Sequence, residues 1–315
     1  MAGLRGAMDS LAKGCQRAAL FIRKLRGGSQ PILVEGTNGL LYVVKLIDNL
    51  QGPNIAFNEV AGAELFRACG LAVAQWEQLL VTDKFLDSNH GCWFETEEGS
   101  RRPRSGICFA SRFLDVQGER LFEILPGSAH CRIRNRSSFW LAWFLDICCD
   151  HADNRQAIFR EDRTRELQAI FIDSGHLLGG ANGDQKPNCW ASRYLDPRIY
   201  SNLKSRDALL YVQRIRNLDI DGVWALVANM PPDWNSATAV QALSRSLDRL
   251  ANRELCRAIW DMLLGSHKRG GWTEGDGTKT QQSEGRSEVL RSSLPTPPAR
   301  RRDSPVRRQG LDTRA

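Results

Sequence analysis

Two aspartate-containing segments in the second half of the chain have the residue types that phosphoryl transfer requires. One, residues 150–156, follows a strongly apolar run and contains Asp150 and Asp153. The other holds Asp173, which ends an apolar run two residues before Gly175. Phosphoryl transfer needs a carboxylate near the attacking hydroxyl and oxygen ligands for Mg²⁺, all on rigid elements. Twenty residues separate Asp153 from Asp173, which suits a hairpin that brings both carboxylates into one cleft.

Each segment also has an ordinary structural interpretation. A polar turn at the end of a helix would account for Asp150 and Asp153, and a simple turn before Gly175 would account for Asp173. The residues alone therefore leave open whether the segments are catalytic, and which of Asp150 and Asp153 would meet a substrate.

A lysine in the first half of the chain has the position of a phosphate-contacting residue. Lys45 lies at the end of the alternating run 41–46, as the phosphate-contacting lysine does in the third strand of a protein kinase. Glu59 follows fourteen residues later, in the next predicted helix, where its carboxylate is expected to pair with the Lys45 ammonium. Glu64 is the alternative partner, and a solvated strand lysine is the competing interpretation.

Two further segments are candidates for contact with a nucleotide. Gly27, Gly28 and Ser29 separate the first two predicted strands, and the glycines would let backbone amides approach phosphate oxygens. A plain turn is the alternative for this segment. Phe109 lies in the predicted strand 106–114, which is expected to connect two lobes and to lie beside the adenine. A buried strand without a ligand would have the same sequence.

The elements that must position these residues change in type along the chain. Strand patterns dominate the first part, helical patterns dominate the second, and 83–105 is predicted to be a polar loop. Strands are predicted over 18–25, 31–35, 40–47, 71–82, 106–114 and 168–173, and helices over 56–69, 137–149, 204–216, 222–229 and 237–264. This order predicts an α+β fold of the bilobal protein-kinase-like type, with a strand-rich N-lobe and a helical C-lobe. The predicted divisions are an extension 1–17, the N-lobe 18–115, the C-lobe 116–267 and a disordered basic tail 268–315.

Five short motifs occur in an order that resembles one kinase family. They are Arg-Gly-Gly-Ser-Gln at 26–30, Val-Lys at 44–45, Asn-Glu at 58–59, Asp-Asn-Arg-Gln-Ala at 153–157 and Ile-Asp-Ser-Gly-His at 172–176. Together they resemble the HipA-like kinase family, in particular its stand-alone branch. The resemblance covers roughly residues 18–264 and leaves the tail out.

This resemblance implies an ATP- and Mg²⁺-dependent phosphotransferase, with relatives that act as serine/threonine protein kinases. It implies that Lys45 contacts the nucleotide phosphates, that Glu59 orients Lys45, and that Asp153 is the catalytic base. Asp150 is the alternative base, because Asp150-His151 is similar to the loops of other relatives. A protein substrate with a serine or threonine hydroxyl would be the phosphate acceptor.

The metal ligands implied by the resemblance depart from the usual kinase pattern. Asp173 would chelate Mg²⁺, and Gln156 would stand where kinases place a metal-binding asparagine, with Asn154 as the alternative ligand. The positions five residues after Asp150 and Asp153 are Arg155 and Ile158, not asparagine. The departure supports a second hypothesis, an inactive nucleotide-binding protein that acts through partners.

Charge and cysteine usage limit the other function classes. The net charge of +7 is concentrated at the two ends, because residues 29–267 carry 26 Lys and Arg against 29 Asp and Glu. A nucleic-acid partner is therefore an alternative only for the basic clusters of the tail. The nine cysteines include no Cys-x-x-Cys pair, which favours a reducing, cytoplasmic environment over a zinc site or a disulfide framework. No apolar run is long enough for a membrane span.

Overall fold

The computed structural model describes residues 16–114, 120–185, 192–200 and 205–268. All of them belong to one compact unit, Met1–Arg269. The predicted extension 1–17 and the predicted tail 268–315, with its arginine clusters, lie almost wholly outside the described residues.

The described residues form ten strands and seven α-helices. The strands are β1 (Gln16–Lys24), β2 (Ile32–Gly36), β3 (Leu41–Lys45), β4 (Trp76–Val81), β5 (Phe94–Thr96), β6 (Gly99–Arg101), β7 (Gly106–Arg112), β8 (Arg120–Phe122), β9 (Gln156–Glu161) and β10 (Leu167–Ile172). The helices are α1 (Ile55–Ala68), α2 (Asp83–Ser88), α3 (Ser138–Cys148), α4 (Ser205–Arg216), α5 (Ile220–Ala228), α6 (Ala237–Ala251) and α7 (Arg253–Lys268).

Five strands of the N-lobe close into a barrel in the order β1-β2-β3-β7-β4. Successive side chains of a strand point to opposite faces, and the alternation decides which residues fill the barrel. Val44 of β3 and its cross-strand partner Ala110 of β7 lie in the buried core. Lys45 follows Val44 by one residue, and its partner Phe109 precedes Ala110 by one residue. Both side chains therefore lie on the outer face of the barrel. The strand pattern therefore directs the candidate lysine toward helix α1.

The turn between β2 and β3 is the hairpin that the sequence predicts. Gly39 has a φ of +75°, which glycine adopts without steric cost. The Gly36 N–H donates to the Leu40 carbonyl at 2.8 Å, and the Asn38 side chain accepts from the Leu40 N–H at 3.1 Å. This short connection fixes the register of β3, and with it the position of Lys45.

Helix α1 is held by the C-lobe at both of its ends. At its start, the Ser236 hydroxyl donates to Oδ1 of Asn54 at 2.6 Å. At its end, the Arg214 guanidinium donates to the carbonyls of Cys69 and Gly70, both at 3.3 Å. The helix stops at Gly70, whose φ of +74° is the left-handed conformation that commonly ends a helix.

The C-lobe is built around α3, which is buried on all sides as its apolar sequence predicts. Phe139, Trp140, Trp143 and Phe144 are each at most 1% exposed, and they form the core of this lobe. Phe144 stacks on Trp260 of α7 with ring centroids 4.8 Å apart. Strands β8, β9 and β10 form a small antiparallel sheet, and the β9–β10 hairpin connects the 150–156 segment to Asp173.

Two predicted segments differ from the structure. The segment 83–105 is not a loop throughout, because it contains α2, which Thr82 caps by accepting from the Phe85 N–H, and the β5–β6 hairpin. These elements are too short for a periodic pattern to reveal them. The predicted helix 237–264 is two helices, because the Asn252 side chain accepts from the N–H groups of Glu254 and Leu255 and starts α7.

Within the described part of the chain, no helix combines the length and apolar character needed to cross a membrane.

Candidate active site

Three elements bring Lys45, Glu59 and Asp173 together between the lobes. The Lys45 ammonium forms an ion pair with Oε1 of Glu59 on α1, and it lies 2.7 Å from Oδ1 of Asp173 after β10. Glu64, the alternative partner, instead accepts from the Trp76 indole N–H at 2.6 Å. The structure thus places Glu59, and not Glu64, beside Lys45.

The two carboxylates decide the charge state of this cluster. Burial by itself lowers the pKa of Lys45, but Glu59 and Asp173 outweigh burial and raise that pKa above its usual range. Burial would raise the pKa of Asp173, but the Lys45 ammonium outweighs it and holds that pKa well below the usual range. Lys45 and Asp173 therefore both stay ionised at neutral pH.

Glu59 also anchors the turn that follows β10. Its Oε2 accepts from the Ser174 N–H and its Oε1 from the Gly175 N–H, both at 3.1 Å. Asp173, at the start of this turn, has a φ of +57°, which is uncommon for a residue with a side chain. One glutamate thus fixes both the lysine and the backbone that carries Asp173.

The two candidate bases have different surroundings. Oδ1 of Asp150 lies 2.6 Å from the Arg249 guanidinium of α6, so this carboxylate is engaged in an ion pair. Asp153 is exposed, and its Oδ1 accepts from the N–H of the next residue, Asn154, at 2.7 Å. Of the two, Asp153 is the carboxylate that the surroundings leave accessible to a substrate.

The predicted metal ligands are brought together only in part. The Gln156 side-chain amide donates to Oδ2 of Asp173 at 3.0 Å. The Asn154 amide instead donates to the Arg193 carbonyl at 3.4 Å. Among the residues that the structure describes, no group of three or more His, Cys, Asp or Glu side chains could hold a metal ion. Mg²⁺ in nucleotide sites is held by one or two carboxylates plus substrate phosphates, and Asp173 with Gln156 fits that smaller donor set.

Residues 27–30, which contain the two predicted phosphate-loop glycines, form a tight turn between β1 and β2 of the barrel. Gly27 has a φ of +131°, and its carbonyl accepts from the Gln30 N–H at 3.0 Å. Gly28 is exposed, whereas Ser29 is buried and its carbonyl accepts from the Asn49 amide at 3.1 Å. An added Cβ on Gly28 would lie 2.7 Å from the side-chain nitrogen of Gln51, so the Gln51 side chain lies against this turn.

Phe109 lies beside the lysine, as its register across from Lys45 requires. It is buried and stacks on Trp76, with ring centroids 6.3 Å apart and an interplanar angle of 26°. Its contact with a nucleotide stays a prediction.

A buried ion pair next to the site is missing from the sequence predictions. Arg155 is 1% exposed and Asp146 is fully buried, and their side chains form two hydrogen bonds, one of them 2.9 Å long. Arg155 also donates to the Ile172 carbonyl at 3.1 Å and lies 4.7 Å from the centre of the Phe66 ring. Arg155 therefore joins α3, β10 and α1. The sequence signal for this ion pair is Asp146. An acidic residue within an otherwise apolar helix is expected to be buried and to need a buried partner.

His151 shares this buried cluster and makes stability depend on pH. Burial and the nearby Arg155 lower the pKa of His151, so the unfolded chain binds a proton more readily. We expect the free energy of unfolding to fall as the pH falls through about 6.5, the usual value for histidine. Urea unfolding at pH 7.5 and pH 5.5 measures this change, and His151→Asn should make it smaller. An equal pH dependence in both proteins would contradict the prediction.

The comparison with solved structures finds a kinase with a similar fold. No protein-family model and no curated protein matches the chain. The chain is similar to the structure of Golgi casein kinase, with 11% identity, coverage of 83% of this chain and 77% of that chain, and a TM-score of 0.50. It is also similar to the Helicobacter pylori proinflammatory kinase CtkA, with 15% identity, coverage of 76% and 94%, and a TM-score of 0.46. The likeness to Golgi casein kinase confirms the predicted fold class, which is α+β, bilobal and protein-kinase-like.

Proposed function

We propose that the chain is an ATP- and Mg²⁺-dependent phosphotransferase of the HipA-like kinase family. The observation that supports this best is the Lys45 ammonium held between Glu59 of α1 and Asp173 after β10. Protein kinases use this arrangement to position nucleotide phosphates. The proposed acceptor is a serine or threonine hydroxyl of a protein.

In this proposal, Lys45 binds the phosphates of ATP. Its ammonium is charged at neutral pH because two carboxylates raise its pKa. The ion pair with Glu59 holds the ammonium in position. The exposed glycines Gly27 and Gly28 would add backbone N–H groups near the phosphates, and Phe109 would contact the base. These residues position the γ-phosphate, which is the larger part of catalysis in phosphoryl transfer.

Asp173 and Gln156 would hold the magnesium ion. Bound Mg²⁺ neutralises the charge that develops on the transferred phosphoryl group. Gln156 already lies at Asp173, because its amide nitrogen donates to Oδ2 at 3.0 Å. A rotation of this amide would present its oxygen in place of its nitrogen.

Asp153 would orient the acceptor hydroxyl and accept its proton. It is exposed on the 150–156 segment, which precedes the hairpin that leads to Asp173. Asp150 is tied to Arg249 and would support the segment without contacting the acceptor.

A second candidate function is nucleotide binding without transfer. The observation that favours it is that both oxygens of Asp173 are engaged by the chain itself, one by Lys45 and one by Gln156. A site that kept these contacts would bind ATP without accepting Mg²⁺ productively.

Substitution of the two aspartates distinguishes their roles. We expect Asp153→Asn to lower phosphate transfer from labelled ATP by about 10²–10⁴-fold, the usual contribution of a general base. Asp150→Asn should keep most of the transfer activity and lose about 1 kcal/mol of stability or less, because its ion pair with Arg249 is partly exposed. Transfer rates and urea unfolding of both variants give the two readouts. Loss of transfer in Asp150→Asn alone would reverse the assignment, and ATP binding without transfer in the wild type would favour the second candidate function.

A further inference from the structure

The amide of Asn58 makes an unusual set of contacts next to the proposed site. Asn58 lies on α1, one residue before Glu59, and is completely buried. Its side-chain nitrogen lies within hydrogen-bond distance of three backbone carbonyls, those of Gly175, Leu177 and Gly180, at 2.9, 2.7 and 3.1 Å. All three carbonyls belong to the segment that follows Asp173.

This segment has a backbone that needs partners from outside. Leu178, Gly179 and Gly180 have φ values of +58°, +84° and +85°, so the chain forms neither a helix nor a strand here. Backbone polar groups that are buried outside regular structure must be satisfied by other groups. The Asn58 amide provides such a partner on the side of α1.

On the opposite side, the same segment holds the loop that carries the candidate base. The Leu178 N–H donates to the Cys149 carbonyl at 2.7 Å, and the Gly179 N–H donates to the Asp150 carbonyl at 2.9 Å. The Ala152 N–H donates to the His176 carbonyl at 2.9 Å. The segment 174–180 is therefore bonded to α1 on one side and to the 149–152 backbone on the other.

Helix α1 is shaped to receive this segment. Gly62 lies one turn after Asn58, and an added Cβ there would lie 2.4 Å from Cβ of Ser174. A separation below 3 Å requires one of the two groups to move. The lack of a side chain at Gly62 thus lets the backbone after Asp173 lie directly against the helix.

We propose that Asn58 is a positioning residue for phosphate transfer. It holds the 174–180 backbone against α1, and through that backbone it fixes Asp173 and the 149–152 loop relative to Lys45. This inference rests on the proposed phosphotransferase function for its effect on activity, but its structural part stands without it. Asn58 contacts no reacting atom in the proposed reaction, so its substitution should act on the rate of transfer more than on ATP affinity.

The test compares Asn58→Ala and Asn58→Asp with Asn135→Ala. Alanine removes the amide, and aspartate keeps its size but replaces the donor by an oxygen, which faces three carbonyl oxygens. Asn135 is a matched control because its side chain bonds both the N–H and the carbonyl of Ala169 in β10, at 2.9 and 2.8 Å. Asn58→Ser, which is smaller than asparagine and keeps one hydroxyl donor, replaces either variant that does not fold.

Hydrogen exchange at the Leu178 and Gly179 amides measures directly how firmly the 174–180 segment is held in place. Both variants at Asn58 should raise exchange there about tenfold or more, because the Gly175, Leu177 and Gly180 carbonyls lose the Asn58 amide and only Glu59 still joins the start of the segment to α1. Asn135→Ala should lower the melting temperature without this local increase. In steady-state kinetics, the Asn58 variants should lower kcat about tenfold or more while the KM for ATP changes less than about threefold.

Two outcomes separate this inference from the proposed function. Unchanged exchange at Leu178 and Gly179 in both Asn58 variants would overturn the inference, whether or not the wild type transfers phosphate. Increased exchange there only in the Asn58 variants would support the positioning of the segment, even if the wild type showed no transfer and the proposed function failed.

Discussion

Asp173→Asn is expected to lower phosphate transfer by about a thousandfold, the size of effect seen when one preorganised electrostatic group is removed from an active site. The substitution removes the carboxylate that would hold Mg²⁺, and an amide is a weaker ligand for that ion. It also removes one of the two negative partners of Lys45, which lies 2.7 Å from Oδ1 of Asp173. Transfer of labelled phosphate from ATP, measured with Mg²⁺ over a range of concentrations, gives the effect.

Asp162→Asn is the matched control for this substitution. Asp162 lies on the same β9–β10 hairpin at its other end, where its carboxylate accepts from the N–H and the hydroxyl of Thr164. Asp162 lies at the end of the hairpin opposite to Asp173, the residue that contacts Lys45. Asp162→Asn should therefore leave phosphate transfer nearly unchanged. Equal activity of the Asp173→Asn and Asp162→Asn proteins would contradict the assignment of Asp173 as the metal ligand.

Asp146→Ala is expected to destabilise the chain by about 3–5 kcal/mol, because it leaves the Arg155 guanidinium buried without its counter-charge. Both side chains are nearly inaccessible, so water cannot replace the lost partner. For a folded unit of this size the loss corresponds to a fall in melting temperature of about 10 °C. Urea unfolding with two spectroscopic probes measures the free energy of unfolding.

The double substitution Asp146→Leu with Arg155→Met supplies the control for this prediction. It removes both charges and keeps apolar volume, so it should recover much of the stability that the single substitution loses. A loss below about 1 kcal/mol in Asp146→Ala would show that the pair does not carry the stability of this region.

The features that are predictable from the sequence depend on local pattern. The alternation in β3 places Val44 in the barrel and Lys45 outside it, and the 36–39 turn sets the register. The helical period places Glu59 on the same side of α1 as the barrel, where it meets Lys45. Local signals of this kind give the fold class and the elements that position the site.

The features that escape prediction depend on contacts between distant parts of the chain. The Asn58 amide donates to carbonyls that lie more than one hundred residues later in the chain. The residues around Asn58 in the sequence do not predict these contacts. Arg155 and Asp146 pair only because the β9–β10 hairpin folds back on α3. The choice between Glu59 and Glu64 likewise depends on Trp76, whose indole takes Glu64 as its partner.

Phosphate transfer from γ-labelled ATP and Mg²⁺, to the chain itself and to an added protein that contains serine and threonine, is the most direct test of the phosphotransferase proposal. The wild type and Lys45→Met should be measured side by side after both are shown to be folded. We expect label on a serine or threonine in the wild-type reaction and at least about a hundredfold less with Lys45→Met. No incorporation by the folded wild type, or equal incorporation by the two proteins, would contradict the proposal.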